Sequence, residues 1–474
     1  MSDLAYLTIA EAGRLIRARK LSPVEFTRAL TARIAATDAV YHAYLAVTED
    51  LAIAQAKAAE AEIMRGGWRS PMHGVPYAAK DIFDVAGMPT TCHSKLRIGH
   101  RARSDATAIV KLREAGAVLL GKLALHEFAT GGPTRELPWP AACNPWNCDL
   151  HPGGSSSGSG VAVAVGTAPG ALGTDTGGSV RNPATCCGVV GMKPTYGTVS
   201  RAGVFPLAFS LDHVGPLTRT VEDNAIMLQA IAGHDPADPA SARRPPADFT
   251  AELNAGVKGL RIGLIAHFYE EDMVAAPEQS AAIAAAADVL RRLGAEVKPI
   301  GLSSLQRYTA CGRTIHIAEA YAVHERDLQE RPQDYAGITR RKLLPGAFIP
   351  AADYVKAQQL RTVLCAEFAA VMRDLDVAIT LSSLDMPCRI DDAETIAQTY
   401  DRQMRMPFNV TGTPAIAVPT GFTAAGLPTA MQIVGRAFAE PMVYRVAQAY
   451  CEATGWCDRH PPVIVAERAK SLVG

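Results

Sequence analysis

The stretch DATAIVKLREAGAVLLG, Asp105 to Gly121, decides the fold class. Its first half reads as a helix, Gly116 as the stop and the apolar end as a short strand, which is the alternation of an α/β layer architecture. The pattern recurs on both sides. Before it, the run Met72 to Lys80 ends in Val75-Pro76-Tyr77-Ala78-Ala79, too short for a helix and bounded by Gly74 and Pro76, so it reads as a buried strand or an extended loop end. After it, GLRIGLI (259–265), the helix Ala281–Leu293 and the segment Ala295–Ile300 restart strand–helix–strand. Residues 313–375 read as long helices. Ala415–Pro419 and Ala430–Val434 are apolar strands, with a helix near 440–453.

The first 65 residues read as helices packed on the rest. Thr8 to Glu11 and Ser22 to Glu25 are capping-box patterns, the second with Pro23 at the first helical position, and Glu49–Arg65 is Ala-rich. The Pro-rich stretch 234–249 is the one surface linker, and no internal repeat is present. These features predict N-terminal helices over 1–65 and one compact α/β domain with helical embellishments over 66–474.

Composition narrows the function. The 474 residues carry 47 Lys+Arg and 47 Asp+Glu, so no net charge steers the chain to nucleic acid or to an anionic membrane. No 18-residue apolar run spans a bilayer, and the start has no secretory pattern, so a cytoplasmic location is expected. The ten cysteines are too sparse for a disulfide framework and read as buried thiols. His126-Glu127 lacks the second histidine of a zinc helix, and no Cys/His cluster has zinc spacing, so neither metal nor cofactor is expected.

Three segments concentrate the chemistry: YAAKD (77–81), PGGSSSGSG (152–160) and GTDTGGSVRNP (173–183). A serine hydroxyl is a weak nucleophile at neutral pH and needs a base and oxyanion donors. Lys80 can be that base if burial keeps it neutral, although Asp81 opposes this unless its carboxylate points elsewhere. The glycines before Ser179 let consecutive N–H groups converge on one point. Two rival nucleophile assignments stand beside this one. Gly154-Ser155-Ser156-Ser157-Gly158 matches a hydrolase elbow centred on Ser156, and His213, beside Asp212, is a candidate triad histidine.

Together, in order and spacing, these segments resemble the amidase signature family of Ser–Ser–Lys hydrolases. The lysine closes Gly74-Val75-Pro76-Tyr77-Ala78-Ala79-Lys80-Asp81, the bridging serine is Ser155 after Pro152-Gly153-Gly154, and the nucleophile Ser179 closes Gly173-Thr174-Asp175-Thr176-Gly177-Gly178-Ser179. Gly191–Asp223 and Gly412–Phe438 continue the likeness. The resemblance implies a single α/β domain with a mixed central sheet surrounded by helices, and a cofactor-free amidase acting on C–N bonds other than peptide bonds, with a cis peptide before Ser155 and an oxyanion hole from the backbone of Thr176, Gly177, Gly178 and Ser179.

The expected substrate is a small, largely uncharged amide, anilide or carbamate, which covers urethanase and aryl acylamidase chemistry. The alternatives are an amidotransferase A-type subunit releasing ammonia from glutamine, or a ureide or biuret-type hydrolase. An acidic residue five before a C-terminal proline engages the glutamine amino group in amidotransferases of that type. Counting back from Pro407 places Arg402 there, a cation where an ammonium must bind. Ile379–Pro387 also departs from the family's usual turn. Substrate-binding residues are expected around 126–139, 203–209, 313–325 and 380–388, with Phe128, Gly131, Phe205, Phe209 and Arg402 nominated and Trp139 adding to an apolar wall. A small-molecule substrate is the expected partner, and a homodimer the expected assembly.

Overall fold

The computed structural model describes residues 4–400, 402 and 404–465. Eleven strands form one mixed sheet: β1 (Tyr44–Val47), β2 (Pro76–Lys80), β3 (Val118–Leu123), β4 (Gly170–Asp175), β5 (Val190–Lys193), β6 (His213–Thr218), β7 (Arg261–Leu264), β8 (Glu296–Pro299), β9 (Val377–Leu381), β10 (Ala415–Phe422) and β11 (Pro428–Val434). Their order is β1-β3-β2-β4-β6-β5-β10-β11-β9-β7-β8. β2 runs parallel to both β3 and β4, and β7 runs parallel to β8 and β9, so each end of the sheet holds a parallel unit. Antiparallel strands β6, β5, β10 and β11 join the two. The whole is a single α/β domain with helices on the sheet.

The deciding stretch folds as a helix Thr107–Glu114 followed by β3, and Gly116 takes φ +85 between them. Both β2 and β3 are buried along their full length, as expected of parallel strands covered on two faces. Ser22 caps the helix Pro23–Tyr41 with its side chain, and Thr8 and Glu11 close the capping box of the helix Ile9–Arg17.

The N-terminal segment departs from the expected all-helical reading. It contributes β1, which pairs antiparallel with β3, so it supplies an edge of the sheet itself. The Pro-rich stretch also does more than link. Residues 243–248 are exposed, but Asp238 is buried and forms an ion pair with Arg201 at 2.9 Å. No helix among the described residues is long and apolar enough to cross a membrane.

Candidate active site

Lys80 closes β2, and its side chain is fully buried at the carboxyl end of the strand. Its Nζ lies 2.8 Å from Ser155 Oγ and donates to Thr174 Oγ1 at 2.8 Å. Both partners are neutral hydroxyls. Burial pulls the Lys80 pKa down from 10.5 to about 7, with the charges of Asp212 and Asp175 acting the other way. The adjacent Asp81 leaves it alone: its carboxylate turns to Lys122 Nζ at 2.6 Å and to the Thr91 hydroxyl at 2.5 Å. The condition set by the sequence, that Asp81 must point elsewhere, is met.

Ser155 follows a cis Gly154–Ser155 peptide. A Cβ at Gly154 would fall 2.1 Å from His126 Cε1, so only glycine fits there. The Ser/Gly run continues into a buried helix, Ser157–Ala164. Ser156, the elbow candidate, is fully buried and donates its hydroxyl to Thr174 O at 3.2 Å, so it serves the backbone of β4.

The nucleophile candidate Ser179 sits on the turn between β4 and the helix Arg181–Cys187. That turn is tied down by Asp175, whose carboxylate accepts from the backbone N–H of Gly178 at 2.9 Å and Val180 at 3.1 Å, from Arg181 Nη2 at 2.9 Å and from Asn409 Nδ2 at 2.9 Å. Burial alone would raise the Asp175 pKa, but the Arg181 guanidinium overcomes it and holds the carboxyl far below its usual range. One nominated oxyanion donor is thereby corrected. The Gly178 N–H is committed to Asp175, because its φ of +124 turns it back toward β4.

Ser155, Thr176, Gly177, Gly178 and Ser179 all line one cavity of about 340 Å³. Gly131 joins them, and its carbonyl accepts from Lys342 Nζ at 2.9 Å. The nominated aromatics do not. Phe128 is buried in the core at φ +50, its ring 5.2 Å from Phe205 and 4.5 Å from His324. Phe205 and Phe209 line an adjoining cavity of about 170 Å³ together with Asp212 and His213, and the two cavities share Ala129, Thr176 and Leu207 in their walls. Phe209 is half exposed beneath the Arg201 guanidinium. Trp139 stands edge-on to His93. Arg402 is absent from the cavity wall and forms an ion pair with Asp385 at 2.7 Å, and it is Asp385 that lines the cavity.

His213 is held by backbone carbonyls through one ring nitrogen, and its buried Nε2 has no hydrogen-bond partner among the described residues. Its Nδ1 faces the carbonyls of Leu211 at 2.6 Å and Asp175 at 3.2 Å, and burial keeps the ring neutral. The stretches 126–139, 203–209, 313–325 and 380–388 each contribute to the wall, Arg313 among them, and the wall cations that sequence reasoning missed are Arg341, Lys342 and Arg405. Burial lowers the pKa of His316 to about 4, with Lys342 and Arg313 reinforcing it, and burial and Arg405 do the same for His151.

The class that this fold and site define is that of amidase-type enzymes acting on C–N bonds. The family model named Amidase matches residues 25–444, and the chain belongs to the amidase signature family. Among curated proteins it is 38% identical to the A-type subunit of glutamyl-tRNA(Gln) amidotransferase from Chloroflexus aggregans, over 97% of this chain and 99% of that one. Among solved structures, one described as a vestigial protein complex that reveals the evolutionary origins of an s-triazine catabolic enzyme superposes with TM-score 0.89 at 33% identity, covering 95% of this chain and 99% of its own. A bacterial aryl acylamidase of the amidase signature family superposes with TM-score 0.88 at 28% identity, covering 96% and 99%.

Proposed function

We propose that this chain hydrolyses the C–N bond of a small amide through an acyl-enzyme on Ser179. The observation that carries the reading is a fully buried Lys80 with a pKa near 7, held 2.8 Å from Ser155 on the wall of the cavity that Ser179 shares. Neutral Lys80 takes the proton of Ser155, Ser155 takes that of Ser179, and the Ser179 oxygen adds to the carbonyl carbon. The backbone N–H groups of Thr176, Gly177 and Ser179 receive the oxyanion. Collapse breaks the C–N bond as the relay returns a proton to the leaving nitrogen. Water then adds to the ester and frees Ser179.

Of the aromatics expected to make the wall apolar, Phe128 is buried in the core and Phe205 and Phe209 line the adjoining cavity, so an aryl group would find those two only by reaching past Thr176 and Leu207. A second reading, an ammonia-releasing subunit that works with partner chains, is favoured by the names of the curated relatives. Against it, glutamine brings an ammonium, and the carboxylate on the wall, Asp385, is already engaged by Arg402. Ureide and biuret-type amides fall within the same C–N bond chemistry, and the neighbour described as revealing the origins of an s-triazine catabolic enzyme points toward nitrogen-rich substrates of that kind.

The test is ammonia and amine release by the purified chain alone from primary amides, nitroanilides, an aryl carbamate and glutamine, with Ser179→Ala as the blank. Release from amides other than glutamine, absent in the variant, supports the independent hydrolase. Release confined to glutamine, or to assays supplemented with the remaining subunits of a glutamyl-tRNA amidotransferase, supports the second reading.

A further inference from the structure

The sequence Cys143-Asn144-Pro145-Trp146-Asn147-Cys148 folds back on itself just ahead of Ser155. The Asn147 N–H donates to the Asn144 carbonyl at 3.2 Å, and Pro145 holds the second position of the turn, where its fixed φ favours a tight bend. The Asn144 side chain accepts from the Trp146 N–H at 2.9 Å, as in an Asx turn. The two cysteines flank this turn, so the chain returns one thiol to the other. Cys143 Sγ donates to Cys148 Sγ at 2.6 Å.

The two ends are anchored to different parts of the molecule. The Cys143 N–H donates at 3.1 Å to the carbonyl of Tyr41, the last residue of the helix Pro23–Tyr41. Beyond Cys148, the Asp149 carbonyl accepts from the Ile390 N–H at 2.9 Å, and the His151 N–H donates to the Cys388 carbonyl at 3.1 Å. His151 lines the cavity that holds Ser155. Asn144 Nδ2 reaches across to the His151 carbonyl at 3.2 Å and to the Cys186 carbonyl at 3.0 Å.

A pair of adjacent thiols can close a bridge when one of them is accessible and forms a thiolate. Cys148 is partly exposed and Cys143 is buried. Accepting the bond from Cys143 favours the Cys148 thiolate and pulls its pKa down, while Cys143 keeps its proton. That divides the pair into an attacking and a resolving cysteine. Cys451 and Cys457, with sulfurs 2.7 Å apart, are both buried, so a soluble oxidant meets Cys148 first.

We propose that Cys143 and Cys148 form a reversible disulfide, a redox-sensitive staple on the segment that leads into Ser155. The co-reactant is a small-molecule disulfide of the glutathione type. The Cys148 thiolate attacks one of its sulfurs, forms a mixed disulfide and expels the first small thiolate. Cys143 then gives up its proton and attacks the Cys148 sulfur, expelling the second. Two protein thiols are oxidised to one disulfide and one small disulfide is reduced to two thiols, so atoms and electrons balance. Excess small thiol runs the exchange backward.

The test incubates the full chain with excess oxidised glutathione, alkylates it under denaturing conditions and maps the peptides by mass. The tryptic peptide Glu136–Arg181 holds these two cysteines and no other. It should lose two hydrogens and take no alkyl group, and dithiothreitol should restore both thiols. The map separates this bridge from glutathione carried by Cys365 or Cys388, which are also partly exposed. Cys143→Ser should trap glutathione on Cys148, and Cys148→Ser should leave Cys143 free. Oxidation should raise the thermal unfolding midpoint of wild type by about 2–5 °C, because the bridge closes a short loop between two anchored ends. It should not raise that of Cys143→Ser. Neither readout depends on hydrolysis. A free thiol left in this peptide of oxidised wild type would overturn the proposal, as would glutathione on Cys143 in Cys148→Ser. A bridge that forms without raising the midpoint would refute the staple. If a variant does not fold, the wild-type map and midpoint decide alone.

Discussion

Lys80 and Lys122 are both buried, on neighbouring strands, with Lys122 in register with Ala79. Lys122 meets a carboxylate, Asp81, at 2.6 Å and is further held by the Pro89 carbonyl at 3.0 Å. Lys80 meets only the hydroxyls of Ser155 and Thr174. The carboxylate stabilises a cation, whereas two hydroxyls leave the desolvation of the ammonium largely uncompensated. On the proposed reading one lysine is a strut and the other a proton acceptor, and the difference comes from the direction in which a single side chain, Asp81, points.

The largest expected effect tests the acceptor. Ser179→Ala and Lys80→Met should each lower kcat by about 10⁴-fold or more in an amide-hydrolysis assay, since members of a relay fail together. A Lys80→Met enzyme within tenfold of wild type would break the contrast between the two lysines.

Lys122→Met tests the strut. It strands the Asp81 carboxylate in the core and should cost about 3–5 kcal/mol in urea unfolding, while the folded fraction keeps its kcat. Loss of turnover without loss of stability would make Lys122 part of the chemistry.

The pH profile sharpens the comparison further. Only the neutral amine accepts a proton, so kcat/KM should fall about tenfold per pH unit below about 7 and level off above it. Stability carries the same signature. Between about pH 7 and 10.5 the unfolded chain still holds the lysine proton that the folded Lys80 has released, so this group makes the fold more stable as pH rises. Wild type and Lys80→Met should therefore diverge across that window in thermal unfolding. Parallel curves would place the titration elsewhere.

The smallest effect belongs to His213. Replacing it with Asn should cost about 1 kcal/mol through its lost hydrogen bond to the Leu211 carbonyl, with kcat/KM within about threefold of wild type. A large kinetic defect would return the Ser–His alternative.

The relay was legible because its parts lie in short segments where residue type and spacing carry meaning. Lys80 and Ser155, 75 positions apart, meet as expected. The strand–helix alternation was legible because Gly116 and its kind interrupt helical runs at the turns. β1 was not, since four residues with one-sided burial give too little periodicity between two helices. The cavity wall was misjudged for another reason. Phe128, Phe205 and Phe209 were chosen for apolarity, which cannot tell a ring that packs in the core from one that faces substrate. Arg402 and Arg405 stand three residues apart in one charged segment. Only the fold shows that the first turns to Asp385 while the second lies on the nucleophile turn.

The Asp175 clamp has a consequence for how this enzyme comes into being. Arg181, which grips Asp175, is itself held by Asn409 and Gln432, and Asn409 also bonds Asp175 directly. The turn bearing Ser179 is thus fastened by residues more than 220 positions downstream. A ribosome that has delivered all three relay residues has not yet delivered an enzyme. A chain severed within the exposed 243–248 stretch would leave the relay, Asp175 and Arg181 on one piece and Asn409 and Gln432 on the other, silent until the two halves find each other.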